Sequence, residues 1–388
     1  MLQSLCVYGF MIFSFFTLLQ TVTVVKKNGQ RLTKTIPFYP IRYSIALLIF
    51  AFFSGVRWDV GIDYLTYLTE YLSIQQNGFT IREDFETGYI ALQEMLLKMH
   101  VPFYVYFAII ALLQFAFSTT YFRHARYLLP YFCVLIMTGG DFFSWMNAMR
   151  QAIVSTAFLL LISLTIEKKR WIVYLIALYL LTFIHKSALL LAPLLLLYYF
   201  KLEKIQINRK IQYILYFCAL ALSAFPLWQS LLSFAENVLS LIGLGDRFTA
   251  AVLARYQTRE VNFGARRIIF LLIDLTIIAY STKLRKVYPT KEFGFAYLMY
   301  IIFYITQSIF ISSLTFSRIV GYFYTFRAVI GSYLLYYLFH IRPNKYNVLI
   351  GFLIIFLFLS HLFIQIYADR GGHTDCIRYM FFWDNFLI

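Results

Sequence analysis

The stretch "FFSGVRWDVGIDYLTYLTEY", residues 52–71, ends an apolar run and then sets four charged residues among aromatic ones. The apolar run that precedes the charges, residues 40–56, approaches the roughly 20 helical residues needed to cross a hydrocarbon core of about 30 Å. The stretch therefore predicts a helix that leaves a membrane at this point. The four charged residues are Arg57, Asp59, Asp63 and Glu70.

The composition of the whole chain is that of a membrane protein. Of its 388 residues, 61% are hydrophobic, 20% aromatic and 13% charged, whereas soluble domains carry about 25% charged residues. We therefore expect an all-α, polytopic integral membrane protein that forms a single membrane domain over residues 1–388. The first apolar run lacks a basic start and an A-x-A cleavage site, so we expect it to be retained as a span.

Apolar runs of spanning length recur along the sequence and predict about twelve transmembrane helices. Three of the runs are short, which leaves counts of ten or eleven open. The runs lie near residues 3–25, 40–56, 102–122, 127–145, 148–166, 171–184, 187–200, 211–232, 268–282, 293–314, 319–339 and 346–367.

The basic residues cluster in alternate connections between these runs. Six connections hold 20 of the 34 Lys and Arg residues but three of the 18 acidic ones. This distribution follows the positive-inside rule, which assigns those connections to the cytoplasm and both termini to the outer side. The net charge of +16 thus reflects topology in a lipid bilayer, and we expect no nucleic-acid partner.

Two of the predicted extracytoplasmic loops are long. The acidic loop, residues 57–100, contains seven of the 18 acids, and "DYLTYLTEYL" and "YIALQEMLLKM" within it have helical spacing, which predicts short amphipathic helices. The arginine-rich loop, residues 233–267, surrounds a second helical stretch, "RFTAAVLARYQTRE". Loops of this length are usually functional or disordered, and their aromatic content argues against disorder.

Polar residues that interrupt the apolar pattern mark candidate sites, because ionisable groups at a membrane are costly. Asn147, Arg150 and Gln151 begin a predicted span at i, i+3 and i+4, which would place them on one helix face; an Asn cap followed by an interfacial Arg is the alternative. His185 falls at an outer turn, where a satisfied turn residue is the alternative to a catalyst.

Other polar residues fall inside predicted spans. Arg318 and Arg327 are nine residues apart, so on a helix they face opposite ways. Arg327 lies at a depth that allows a buried pair with Asp274, for which we favour a structural role. We expect His361 to hydrogen-bond a neighbouring helix.

Five short motifs, in one order and all on the predicted outer side, resemble the EpsG/Wzy-like membrane proteins of bacterial polysaccharide synthesis. The resemblance covers most of the chain, although Ile62 stands where that pattern more often has Thr. The motifs are R57-W-D-V-G-I-D63-Y64, F85-E-T-G-Y89, N147-A-M-R150-Q151, F183-I-H185-K-S and S317-R318-I-V-G-Y322-F.

The resemblance implies a GT-C-like glycosyltransferase, namely a polymerase that makes O-antigen, capsule or exopolysaccharide. Such an enzyme joins undecaprenyl-diphosphate-linked oligosaccharide repeat units at the outer face of the bacterial inner (cytoplasmic) membrane. A chain-length regulator and a flippase are candidate partners.

That chemistry requires cations for the leaving diphosphate, for which the planar arginine fork is suited. It also requires a base for the attacking hydroxyl, for which we favour Asp63, with Asp59, Glu86 and His185 as alternatives. Two carboxylates in "DVGID" are too few for a metal site, and the four cysteines have no metal-ligand spacing, so we expect neither metal nor cofactor. The candidate diphosphate ligands are Arg57, Arg150, Gln151, Asn147 and Arg318, with Arg255 and Arg259 on the arginine-rich loop.

Two other classes of protein stay open. A secondary transporter or flippase for lipid-linked sugars would also suit twelve spans, although such proteins tend to have internal repeats and polar groups near the bilayer midplane. The other class is an outer-face acyltransferase or a glycosyltransferase that uses a polyprenyl monophosphate donor.

Overall fold

The computed structural model describes residues 1–27, 30–35, 39–82, 85–165, 170–223, 264–311, 318–369 and 376–386. The described residues are nearly all helical, as the composition predicts. They form two compact units, Met1–Tyr199 with Gly331–Ile388, and Phe200–Ile330. The prediction of a single membrane domain stays a prediction.

The first unit contains most of the described helices and two short strand pairs. Its last two helices follow the second unit in the chain. Its elements are α1 (Leu2–Leu18), β1 (Val22–Lys27), β2 (Gln30–Thr35), α2 (Pro40–Gly55), β3 (Arg57–Trp58), α3 (Tyr64–Asn77), α4 (Thr87–Lys98), α5 (Phe103–Thr120), α6 (Leu129–Gly139), α7 (Asp141–Asn147), α8 (Met149–Thr165), α9 (Trp171–Thr182) and α10 (Leu194–Tyr199), then, after the second unit, α14 (Phe326–Tyr336, which starts in that unit), α15 (Lys345–Ala368) and β4 (Met380–Phe381).

The second unit contains α11 (Arg209–Leu222), α12 (Ala265–Val287) and α13 (Lys291–Ile309). Within it, Arg327 and Asp274 form the buried pair that their depths allowed. Arg327 donates from Nε to Asp274 Oδ1 (3.0 Å) and from Nη2 to Oδ2 (2.9 Å). The hydroxyl of Tyr300 donates to the same carboxylate at 2.8 Å. Because both charges have partners, the pair can lie inside the unit.

A helix lies in each of the twelve predicted apolar runs, but the number of spans stays a prediction. Among the described helices, Phe103–His124 and Lys345–Ala368 are long and apolar enough to cross a membrane. Arg126–Gly139 and Asp141–Asn147 make a third span if they count as one, and five further apolar helices are shorter.

The apolar run near residues 127–145 is bent by 63°, which the sequence analysis did not predict. The bend falls at Gly140, whose φ of 98° is in the left-handed region that glycine tolerates. The carbonyl of Thr138, two residues before this bend, accepts a hydrogen bond from His361 Nδ1 at 2.8 Å. The expected contact of His361 with a neighbouring helix is thereby confirmed.

Two predictions about local structure are wrong. The apolar run near residues 3–25 is helical only to Leu18, and the β-branched Val22–Val25 stretch instead begins a strand paired antiparallel with Gln30–Thr35. Asn147 ends α7, and the non-helical backbone of Ala148 separates it from α8. Asn147 therefore does not share a helix face with Arg150 and Gln151.

The two ends of the chain meet the start of the acidic loop. Strand β3 pairs antiparallel with β4, so that Arg57 lies opposite Phe381 and Trp58 opposite Met380. Gln3 Nε2 donates to Asp384 Oδ2 at 2.8 Å. The sidedness of the termini and of residues 57–100 stays a prediction.

Candidate functional site

Arg57, the first residue of the first motif, is buried within the first unit and contacts the backbone around it. Arg57 is 1% exposed to solvent. Its guanidinium donates to the carbonyls of Ser54 and Val60 and lies 4.8 Å from the centre of the Phe107 ring. No carboxylate within the described residues pairs with it. The guanidinium thus shapes the loop between α2 and α3 and is not presented at the surface.

The loop between Arg57 and α3 is pressed against the break between α7 and α8. Gly61 has a φ of 99°, and a Cβ there would lie 2.7 Å from the carbonyl oxygen of Met146. Two residues later, the Asp63 N–H donates to Asn147 Oδ1 at 2.8 Å. Only glycine combines this φ with such a close approach.

The two aspartates of this loop do not share a helix face, although residues four apart on a helix would do so. Asp59 has a φ of 51° and belongs to the loop. Asp63 is the residue before α3 begins at Tyr64. The turn at Gly61 separates the two aspartates, so no single helix contains both.

Glu86 is the centre of a cluster of polar groups from three parts of the first unit. It immediately precedes α4, and its side chain is 5% exposed. Its Oε1 accepts hydrogen bonds from His185 Nδ1 and from the backbone N–H of Lys186, both at 3.0 Å. Its Oε2 accepts a hydrogen bond from Arg150 Nη1, which makes an ion pair. We call Glu86, Arg150, His185 and Lys186 the Glu86 cluster.

The start of α4 and the turn that carries His185 touch through their backbones. The Tyr89 N–H is 3.2 Å from the carbonyl oxygen of Phe183. Gly88 permits this contact, because a Cβ there would lie 2.7 Å from Phe183 Cβ and 2.8 Å from its carbonyl oxygen. The second and fourth motifs are therefore two halves of one contact.

Arg150 is placed by aromatic side chains as well as by Glu86. Its Cζ lies 4.0 Å from the centre of the Phe85 ring, a cation–π distance. It also interacts with the side chain of Tyr67. Burial raises the pKa of Tyr67, as does the nearby charge of Asp63, while Arg150 lowers it. Tyr67 therefore interacts with both Arg150 and Asp63.

The surroundings of Glu86 keep it ionised. Burial raises the pKa of its carboxyl, but hydrogen bonds from His185 and the Lys186 N–H, together with the charge of Arg150, outweigh burial and lower it to about 2. A carboxylate of such low pKa is a weak base at neutral pH. Since a carboxylate only accepts hydrogen bonds, His185 must donate from Nδ1, which leaves Nε2 as its acceptor atom when the ring is neutral.

The remaining candidates are spread more widely. Gln151 is half-buried on α8, directly after Arg150, and Arg318 is exposed in the second unit. Arg255 and Arg259, with most of the arginine-rich loop, lie outside the described residues. Within the described part of the chain, no group of three or more His, Cys, Asp or Glu residues could hold a metal ion.

Two features of the site were not identified from sequence. Tyr67 lies four residues after Asp63 on the predicted helix, so helical spacing was the signal that could have identified it. The Lys186 N–H contributes only its backbone, for which side-chain chemistry gives no signal.

The sequence model of the EpsG family matches residues 40–381, a range that contains the whole Glu86 cluster. Neither a curated protein nor a solved structure matches the chain.

Proposed function

Since the chain belongs to the EpsG family, we propose that it is a glycosyltransferase that polymerises surface polysaccharide. Its substrates are oligosaccharide repeat units linked to undecaprenyl diphosphate, and it acts at the outer face of the bacterial inner membrane. The same proposal includes a GT-C-like arrangement of about twelve spans. It also includes a flippase and a chain-length regulator as partners.

The observation that carries the proposal is the Glu86 cluster. One buried carboxylate gathers a guanidinium and an imidazole from elements that are distant in sequence. The family motifs supply all of its members. An arginine and a histidine held side by side suit a reaction in which a diphosphate leaves while a hydroxyl loses its proton.

In the proposed step, the acceptor hydroxyl oxygen forms a bond to the anomeric carbon of the donor glycan. The bond from that carbon to the diphosphate oxygen breaks, and the oxygen keeps the electron pair. Arg150 stabilises the negative charge on the departing diphosphate. His185 accepts the hydroxyl proton at Nε2, while Glu86 orients the ring and stabilises the imidazolium that forms.

The other candidates support this arrangement. Asp63 is the second candidate base, because its charge acts on Tyr67 beside Arg150. Arg57 and Asn147 contribute by holding the loop that carries Asp63. Gln151, Arg318, Arg255 and Arg259 are proposed as further diphosphate ligands.

Purified protein in proteoliposomes, supplied with lipid-linked repeat units, tests the proposal. We expect the wild type to make longer lipid-linked chains, and Arg150→Ala to be slower by about 10²–10³-fold because the diphosphate loses its cation. His185→Ala should lose about 10²–10⁴-fold, more than Asp63→Ala. Lys98→Ala, which removes an exposed cation at the end of α4, is the matched control and should have wild-type activity.

Three outcomes contradict parts of the proposal. Repeat units that cross the bilayer without elongation would identify a flippase instead of a polymerase. Full-length polymer from Arg150→Ala would exclude its role at the diphosphate. A larger loss in Asp63→Ala than in His185→Ala would move the base to the aspartate.

A further inference from the structure

The loop that carries Asp59 and Asp63 is held by a segment more than 300 residues away in the chain. We call Cys376–Phe386 the C-terminal segment. Its Cys376 carbonyl accepts a hydrogen bond from the Gly61 N–H at 2.8 Å, and its Phe382 N–H donates to the Val56 carbonyl at 2.9 Å. Between these contacts, β4 pairs with β3. The segment thus contacts the loop at its beginning and at its turn.

The C-terminal segment is itself fastened at its first residues by Asp369. This residue is 1% exposed and follows the last residue of α15. Its Oδ2 accepts hydrogen bonds from the backbone N–H groups of Ile377 and Arg378, both at 2.7 Å. The Tyr8 hydroxyl donates to the Ile377 carbonyl at 2.6 Å. One buried carboxylate therefore sets where the segment starts.

Further along, Tyr379 joins the segment to two helices of the first unit. Its hydroxyl donates to the Phe53 carbonyl at 2.7 Å, near the end of α2. Its N–H donates to Ser4 Oγ at 2.9 Å, near the start of α1. These contacts fix the segment against α1 and against α2, the helix after which the loop begins.

A displaced segment would displace the loop. Gly61 is two residues before Asp63, whose N–H is bound by Asn147, and Asn147 is three residues before Arg150. The contact between Gly61 and Cys376 therefore bears on the placement of Asp63, which is joined through Asn147 to the start of α8, where Arg150 lies. Misplacing a reacting group by about 1 Å can slow an enzyme about 10²-fold.

We infer that the C-terminal segment positions the loop of Asp59 and Asp63 for polymerisation and that Asp369 is the positioning residue that holds the segment in place. The inference rests on the proposed function and adds to it a requirement outside the family motifs. Asp369 does not touch substrate in this account, because it acts through the backbone of Ile377 and Arg378.

The first test compares two substitutions at Asp369 in the proteoliposome assay. Asp369→Ala removes both acceptor bonds, and we expect kcat to fall about 10–100-fold with little change in KM for the lipid-linked donor, since the diphosphate ligands are untouched. Asp369→Asn keeps a neutral acceptor, which makes weaker bonds than a carboxylate, so its loss should be smaller. Tyr131→Phe is the control, because it removes a 2.7 Å contact to His340 within the same unit and should leave kcat unchanged.

A cross-link distinguishes positioning from a general loss of folding. Trp58 and Met380 are directly opposite in the β3–β4 pair, where Cα atoms are typically about 4.5–5.5 Å apart and a disulfide fits. We expect Trp58→Cys/Met380→Cys, oxidised and verified by peptide mapping, to restore kcat in an Asp369→Ala background, and reduction to remove the rescue. The Trp58→Cys/Met380→Cys protein with Asp369 intact should change little between the two redox states.

Several outcomes would overturn the inference. These are wild-type kcat in Asp369→Ala, a loss confined to KM, or no recovery in the verified cross-linked protein. Absence of polymerisation by the wild type would overturn the proposed function first, and this inference with it. The two failures are therefore distinguishable by the wild-type result.

Discussion

Glu86 and Asp274 are both buried carboxylates paired with arginine, but their surroundings differ. Asp274 receives two bonds from Arg327 and others from tyrosine hydroxyls, a closed set that suits a structural pair. Glu86 instead binds His185, whose side chain is 25% exposed. The second arrangement leaves a titratable ring accessible to a substrate. This difference, more than the charge pairs themselves, is why we propose the Glu86 cluster as the site.

The role of Glu86 in holding the cluster predicts a pH-dependent effect on stability. The fold lowers its pKa from 4.5 to about 2, so its contribution is complete above about pH 4.5 and is lost as the pH falls towards about 2. We expect Glu86→Gln to lower the free energy of unfolding by about 3 kcal/mol at pH 7, because the buried charge of Arg150 loses its partner. The difference from wild type should shrink below pH 4.5. Unfolding in detergent between pH 7 and pH 3 measures it.

Glu94→Gln is the control for this prediction. Glu94 is exposed on α4, so its substitution should leave the unfolding free energy within about 0.5 kcal/mol of wild type. A difference between wild type and Glu86→Gln that is constant down to pH 3 would show that the ionised carboxylate is not what stabilises the cluster.

At the scale of elements, the site depends on how α4 meets the turn after α9. Alanine normally stabilises a helix over glycine by up to about 1 kcal/mol. At Gly88 we expect the opposite, because the added Cβ would meet the backbone and Cβ of Phe183 at less than 3 Å. Gly88→Ala should therefore destabilise the protein by about 1–3 kcal/mol and reduce polymerisation, as measured by thermal unfolding and the proteoliposome assay.

Gly9→Ala supplies the matched control. Gly9 is also helical, in α1, and nothing lies within 4 Å of a Cβ placed there. The same substitution should be neutral or stabilising at this position. If both variants behaved alike, the contact between α4 and the turn would not be what Gly88 provides.

Local pattern predicted the elements of the acidic loop but not how they are joined. Helical spacing of apolar residues predicted α3 and α4, because this periodicity can be recognised within a short stretch of sequence. The break at Ala148 has no glycine or proline to mark it, and it is stabilised from α5 by Gln114 Nε2, which donates to the carbonyls of Trp145 and Met149. Such breaks depend on tertiary partners, so the periodicity of the sequence does not predict them.

The candidate site residues were likewise predicted where the signal is local and missed where it depends on the whole fold. Sequence chemistry identified Arg150, Glu86 and His185, because each has a side chain that such a reaction could use, and the structure brings these three together. It also named Arg57, whose guanidinium is buried on backbone carbonyls. Burial depends on the whole fold, and residue type does not reveal it. The C-terminal segment was missed because its contribution is mainly backbone hydrogen bonds.

At the scale of the molecule, α15 carries the chain from a basic connection to the C-terminal segment. It has 24 residues, or about 36 Å at 1.5 Å per residue, enough for a hydrocarbon core of about 30 Å. Its first residue, Lys345, belongs to a connection predicted to be cytoplasmic. Asp369, directly after its end, holds the segment that contacts the acidic loop. If α15 spans the membrane, the arrangement of the first unit requires Lys345 and the acidic loop to be on opposite sides of it.

Cysteine labelling in intact bacterial cells tests that requirement. We expect Gln76→Cys, exposed at the end of α3, to react with a membrane-impermeant maleimide, and Lys345→Cys to react only after the cells are permeabilised, because α15 places it on the cytoplasmic side. The wild-type chain supplies the background from its four native cysteines. Labelling of Lys345→Cys in intact cells would mean that α15 does not cross the membrane, and the positive charges of the adjoining connection would then need another explanation than the positive-inside rule.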